Sequence, residues 1–224
     1  AIRKVDIATG AVTTLVGGVN IGTRDGVGNF ARLFNPQAII RFPDSTDFLL
    51  ADAHNLRRVT EEGEVTTIYR LNLNPIYTAN WDWNGNFSKN EEYVVEGLAL
   101  REYGTGALHQ KIVYFVNGHS TGVWQYNMMT EEVSVLAGMS DKPTENSTDL
   151  LFEGPTSLVI APTGLQVYLA DRSTCRVNSV DLSPLAMDLH EYALPTETYN
   201  NTYVPRDNQG YTVTTDTWGN VYVA

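Results

Sequence analysis

Two histidines stand at matching places in a repeated pattern, His54 in "DAHN" and His119 in "NGHS", and Asp52 lies two residues before the first. Imidazole and carboxylate groups are the donors that hold a catalytic divalent ion, so His54, His119 and Asp52 are the candidate metal ligands. A third copy of the pattern carries Ser173 where the histidine would fall, and a simple turn accounts for His54 without a ligand. His109 and His190 occupy unrelated places and complete no set. Nucleophilic chemistry has less to work with, because Gly-x-Ser-x-Gly does not occur and Ser120 beside His119 lacks an ordering third partner. The expectation is no catalytic residue, no metal and no cofactor, with a metal-assisted lyase or hydrolase as the enzymatic alternative.

The polar residues that do recur suit a structural task. Asp52, Asn55 and Arg57 return as Asp171, Thr174 and Arg176, and Asp25 precedes a glycine-rich turn. A carboxylate at a strand end can accept bonds from loop amides and pair with an arginine. Catalysis needs a residue once, whereas a repeat needs its brace in every copy, so these residues are expected to brace turns. Asp82, Glu91, Glu92 and Glu96 form an acidic cluster that is expected to be a solvated face, in preference to a calcium or cationic-partner site.

Between 71 and 95 the chain concentrates Tyr77, Trp81, Trp83 and Phe87 among Asn and Gly. Such a mixture suits carbohydrate stacking or a protein interface, and equally the covering of a seam within the fold. Asn-x-Ser/Thr acceptors for glycosylation occur at Asn86, Asn146 and Asn200, about as many as chance supplies.

Composition narrows the partners. With 26 acidic and 15 basic residues the net charge is −11, which repels nucleic acid and anionic membrane surfaces. No apolar run approaches the roughly 18 residues that span a bilayer, and the first ten residues do not read as a signal peptide. Cys175 stands alone, so no disulfide forms within the chain and no thiolate metal site is available. Its default is a buried or half-buried small side chain. At 224 residues the chain is long enough to bury a core without such staples. Four lysines beside 24 threonines and 12 tyrosines lean towards an extracellular or cell-surface protein.

The elements that must position these residues are strands. "IRKVDIATGAVTTLVG" (2–17) and "VWQYNMMTEEVSVLAG" (123–138) align without a gap, and "LRRVTEEGEVTTIYR" (56–70) is a third copy, shorter by one at the turn. Each alternates apolar and polar residues on both sides of a polar turn, the pattern of a hairpin. A second kind of strand pair appears at 37–52, 96–117, 156–171 and 211–224, usually ending in Ala-Asp. Repeats built of four short strands are the signature of propeller blades, so the fold class is all-β: a β-propeller of four-stranded antiparallel blades.

Residues 25–59 resemble the NHL repeat family, in the variant that reads Asp-Gly-x-Gly, Ala-Arg-Phe, a proline, a Gly-Ile strand, a Val-Ala-Asp strand and an Asn-x-Arg turn. This chain has Asp25, Gly26, Gly28, Ala31, Arg32, Leu33, Pro36, Ala38, Ile39, Ala51, Asp52, Asn55 and Arg57 in that order. The resemblance weakens after residue 70, where "WDWNGNFSKNEEY" and "GMSDKPTENSTDLLFEGP" replace the glycine-rich entry. It implies that Gly26 and Gly28 provide an inter-blade joint with positive φ, not a phosphate loop, since neither a helix nor a lysine follows. Phe30, Leu33 and Phe34 are then expected to fill the wedge between blades.

On this reading 1–224 is one propeller domain with blades at about 18–70, 71–138 and 139–195. The fourth is split, with 196–224 giving the inner strands and 1–17 the outer ones. A piece of a larger propeller, a complete four-bladed ring and strand exchange between molecules all fit that phase. The expected function is a non-catalytic scaffold for a protein or glycan partner. Its structural alternative is a glycosylated extracellular fibre subunit assembled by strand exchange.

Overall fold

The structure is a computed structural model, and it describes residues 1–70, 94–105, 109–117, 122–138, 152, 154–172, 174–182, 189–193 and 212–223. Two compact units are present, Ala1–Glu96 and Gly97–Ala224.

In the first unit, β1 (Ile2–Val5) and β2 (Val12–Val16) form a two-stranded hairpin. Its turn is closed by the Asp6 carboxylate, which accepts bonds from the Thr9 backbone at 2.8 Å and the Thr9 hydroxyl at 2.9 Å. A short strand β3 (Gly26–Val27) and one 3-10 turn lead to β4 (Pro36–Arg41), β5 (Phe48–Asp52), β6 (Asn55–Val59) and β7 (Glu64–Arg70). These five strands make one antiparallel sheet in the order β3-β7-β6-β5-β4. An isolated two-stranded hairpin is marginal in water. Here β2 is anchored by Val16, which joins Ala31, Leu33, Leu50, Val59 and Val65 in one buried cluster.

A second four-stranded sheet follows, with β8 (Val95–Tyr103), β9 (Gln110–Asn117), β10 (Val123–Asn127) and β11 (Glu132–Ala137). The third contains β12 (Pro155–Ile160), β13 (Gln166–Asp171), β14 (Arg176–Asp181) and β15 (Leu189–Ala193), and β16 (Val213–Thr215) pairs with β17 (Val221–Val223). Tyr114, Val116, Val123, Phe152, Leu158 and Leu169 are among the residues of this unit's core. Gly97 lets two sheets approach, because a Cβ there would lie 2.9 Å from the Ser157 backbone.

The repeats seen in the sequence are repeats of register. Ile2 faces Val16 as Val123 faces Ala137, and both hairpins slip by one residue directly after that pair. Pro36 faces Asp52 as Pro155 faces Asp171, again with a shared slip before the next pair. Bulges at the same place in separate copies mark one supersecondary unit used repeatedly.

The glycine-rich joint has the positive φ expected of it, at 152° for Gly26 and 57° for Gly28. Gly17 donates to the Gly28 carbonyl at 3.0 Å and Gly28 donates to the Gly63 carbonyl at 2.9 Å. This relay ties the end of β2, the joint and the β6–β7 turn together. All three glycines have positive φ, at 83°, 57° and 87°. Leu33 is buried, but Phe30 is 71% exposed and Phe34 is 41% exposed, so of the three only Leu33 joins the buried cluster. Phe30 is the last residue of the 3-10 turn, and Ala31 directly after it is extended.

Candidate functional site

The densest polar cluster among the described residues of the first unit is built on Arg57, in the middle of β6. Its side chain is fully buried, and a guanidinium there requires several acceptors. Nη1 donates to Asp52 Oδ2 at 2.7 Å and to the Arg32 carbonyl at 2.8 Å, while Nη2 donates to Asp25 Oδ1 at 2.8 Å. Asp52 Oδ1 accepts from the Phe34 and Asn35 backbone amides, each at 2.8 Å. Asn55 Nδ2 donates to the Asp52 carbonyl at 3.2 Å.

Asp25 completes the cluster from the joint. Its Oδ2 accepts from the Thr67 amide at 2.9 Å and its Oδ1 from the Thr67 hydroxyl at 2.8 Å. Burial pushes the Asp25 carboxyl up, but the Thr67 and Arg57 donors outweigh it and hold the carboxyl below its ordinary value. One arginine thereby fastens the joint, the strand-end turn and β7. The turn itself is only two residues, and Ala53 takes φ 54° to close it.

This arrangement has little capacity for a metal. Asp52 is fully buried, and both its oxygens are engaged by the three donors named above. An ion there would have to displace Arg57 or the loop amides. His54 is half-buried in the two-residue turn, and His119 lies outside the described residues. Among the described residues, no three His, Cys, Asp or Glu side chains are grouped to hold a metal. His109 lies in the second unit, with Nε2 3.9 Å from Glu102, which also pairs with Lys111 at 3.1 Å. His190 is on β15.

The later copy of the motif departs from the sequence alignment. Asp171 is buried and its Oδ1 accepts from the Thr174 amide at 3.1 Å. Arg176, however, is exposed and faces Asp171 across the strands, the position that Asn55 holds opposite Asp52. The turn 172–175 is two residues longer than 53–54, so Asn178, opposite Leu169, takes the place of Arg57, opposite Leu50. In the second sheet the same place is held by Trp124, opposite Phe115, and the two rings stack with centroids 6.4 Å apart. Arginine, tryptophan and asparagine thus occupy one register position in three sheets. Cys175 is exposed, not buried, and sits at φ 55° in the longer turn.

The remaining candidates fall elsewhere. Tyr77, Trp81, Trp83 and Phe87, the sequons at Asn86, Asn146 and Asn200, and the acidic residues Asp82, Glu91 and Glu92 lie outside the described residues. Glu96 is on β8. A feature that sequence reasoning did not single out is Trp218, which is 86% exposed at the β16–β17 turn. Its signal was the Asp216-x-x-Gly219-Asn220 frame around an aromatic residue.

No protein-family model matches the chain, and no curated protein matches it. Among solved structures, a putative 6-phosphogluconolactonase from Bacteroides uniformis is similar over 99% of this chain and 55% of its own, at 12% identity and TM-score 0.52. The chain has a propeller-like, all-β fold. An auxiliary nutrient binding protein from Bacteroides thetaiotaomicron is similar over 85% of this chain and 35% of its own, at 14% identity and TM-score 0.49. A nidogen/laminin complex matches over 72% of this chain and 48% of its own, at 14% identity and TM-score 0.46. The chain spans about half the length of these structures or less. At 12% identity the likeness to the Bacteroides uniformis structure is one of fold, and it extends no further. No helix among the described residues is long and apolar enough to cross a membrane.

Proposed function

We propose that the chain is a non-catalytic propeller of NHL type that presents its surface to a protein or glycan partner, outside the cell or at its surface. The observation that carries this reading is the fate of Asp25, Asp52 and Arg57. Side chains with the means to do chemistry are turned onto one another and onto backbone amides and carbonyls, and so serve rigidity. A rigid strand scaffold with variable loops is well suited to recognition. The ordered NHL-like residues from Asp25 to Arg57 support the family reading, and four blades, the last split between the first and last strand pairs, belong to the same proposal. The few lysines beside many threonines and tyrosines support an extracellular setting.

The test combines metal analysis of the purified chain, turnover on a panel of lactones and esters, and cross-linking in the native source followed by a saturation isotherm with the captured partner. The scaffold reading expects saturable binding without turnover. A stoichiometric divalent ion and a turnover that both vanish in His54→Ala would overturn it in favour of a metal-assisted lyase or hydrolase.

The strand count favours one second reading. Among the described residues, β1–β2 and β16–β17 are two-stranded sheets, and the other sheets have four or five strands. Exchange of these pairs between molecules would make the chain a subunit of an extracellular, glycosylated fibre. Light scattering and electron micrographs of one sample test this: regular polymers support exchange, and a uniform single-chain particle removes it.

A further inference from the structure

The β16–β17 turn holds a large aromatic side chain in water on a fixed support. Trp218 is 86% exposed and Tyr222 is 55% exposed, whereas Trp124 in the same unit is buried. The support is the Asp216 carboxylate. Its Oδ1 accepts from the Trp218 and Asn220 amides, each at 2.9 Å, and its Oδ2 accepts from Asn220 Nδ2 at 2.7 Å and from the Tyr222 hydroxyl at 3.0 Å. Gly219, at φ 90°, completes the bend, and the Asp216 amide donates to the Asn220 carbonyl at 3.1 Å. The backbone bearing Trp218 is ordered before any ligand arrives, which removes part of the cost of binding.

The chemistry around the indole selects the ligand. Asn220's side-chain bond holds the Asp216 carboxyl below its ordinary value, so the group is ionised at neutral pH. The four donors that reach this carboxylate come from the turn and from Tyr222 on β17, which leaves it poorly placed to take direct bonds from sugar hydroxyls. Its charge still acts at a distance, and an indole face attracts cations more strongly than other aromatic faces do. A chain of net charge −11 adds to that preference and disfavours acidic ligands.

Resting on the scaffold reading, we propose that Trp218, Tyr222 and Asp216 form a docking point for a basic peptide segment of a protein partner. An arginine or lysine side chain lies over the Trp218 ring with the Asp216 carboxylate as its counter-charge. Tryptophan at a partner surface commonly carries a large share of binding energy, so the indole is the anchor and Tyr222 its flank.

The test is an NMR titration of the full chain that follows its four tryptophan indole N–H resonances, with Trp218→Phe assigning the relevant one. The probes are a capped Gly-Arg-Gly-Arg-Gly peptide, its Glu-for-Arg counterpart and a neutral oligosaccharide, maltohexaose. A saturable shift of the Trp218 resonance is expected with the arginine peptide only. The affinity should fall at least fivefold in Trp218→Ala and weaken between 50 and 300 mM salt (about 14 to about 6 Å screening length). Asp216→Asn, checked for unchanged backbone dispersion, should weaken it similarly. A Trp218 resonance unmoved by the arginine peptide, or moved equally by the acidic peptide or the oligosaccharide, overturns the proposal. If Trp218→Ala instead captures the cross-linked partner as well as the parent chain does, the docking point fails while the scaffold reading stands.

Discussion

Arg57 and Asp25 lie 32 residues apart in sequence and meet at 2.8 Å, the arginine wholly buried and the aspartate 46% exposed. A buried guanidinium needs every acceptor it has, so the contact fixes the joint relative to β6 at the expense of tolerance to change. Truncating Arg57 leaves Asp52 buried without its counter-charge, and breaking such a pair from one side costs about 3–5 kcal/mol. Arg57→Ala is therefore expected to lower the urea midpoint of the first unit strongly. Arg57→Lys should recover only part of it, because one ammonium cannot reach Asp25, Asp52 and the Arg32 carbonyl together. An unchanged midpoint in Arg57→Ala would remove the brace from the account of this fold.

Acid should loosen the same joint. Asp25 has a folded-state value below its ordinary 3.8, so its bonds contribute stability above that value and lose it as pH falls through the lower, folded one. The window lies below about pH 4, and solvent around the half-exposed carboxylate keeps the effect modest. Urea unfolding at pH 7 and pH 3 should show a steeper loss for the parent chain than for Asp25→Asn, whose amide does not titrate. Equal losses would place the acid sensitivity elsewhere.

Two glycines with nearly the same backbone separate conformational strain from collision. Gly63 and Gly219 have φ of 87° and 90°, but a Cβ on Gly63 would meet the Leu15 carbonyl at 2.7 Å while one on Gly219 meets nothing within 4 Å. Gly219→Ala should cost about 1–2 kcal/mol, the penalty of a left-handed alanine. Gly63→Ala should cost more, because β2 must also move away from the turn, and the difference is readable in denaturant midpoints.

Much of this molecule was legible as strands and little of it as chemistry. Hairpins 2–16 and 123–137 align in sequence and share register down to the residue where each slips, because alternation and turn residues act locally. The Arg57 cluster was only partly legible. Asp25, Asp52 and Arg57 stand out as a motif, but their meeting depends on how the joint returns to β6. Arg176 looked like the second Arg57 because an ungapped alignment hides the two extra residues of the 172–175 turn, which moved Asn178 into that place. Cys175 went the same way, drawn into the longer turn and out to solvent.

Phe30 and Leu33 give the last prediction, since hydrophobicity alone would rank them in the wrong order. Phe30 is the larger side chain, yet it is 71% exposed, while Leu33 is 5% exposed and packs with Val16, Ala31, Leu50, Val59 and Val65. Emptying a buried leucine site costs about 2–5 kcal/mol, and an exposed substitution away from special backbone is usually within about 0.5 kcal/mol. Leu33→Ala should therefore lower the thermal midpoint by several degrees and Phe30→Ala should leave it nearly unchanged. The reverse order would mean that Phe30 is covered in the native molecule, and that its exposed face is an interface.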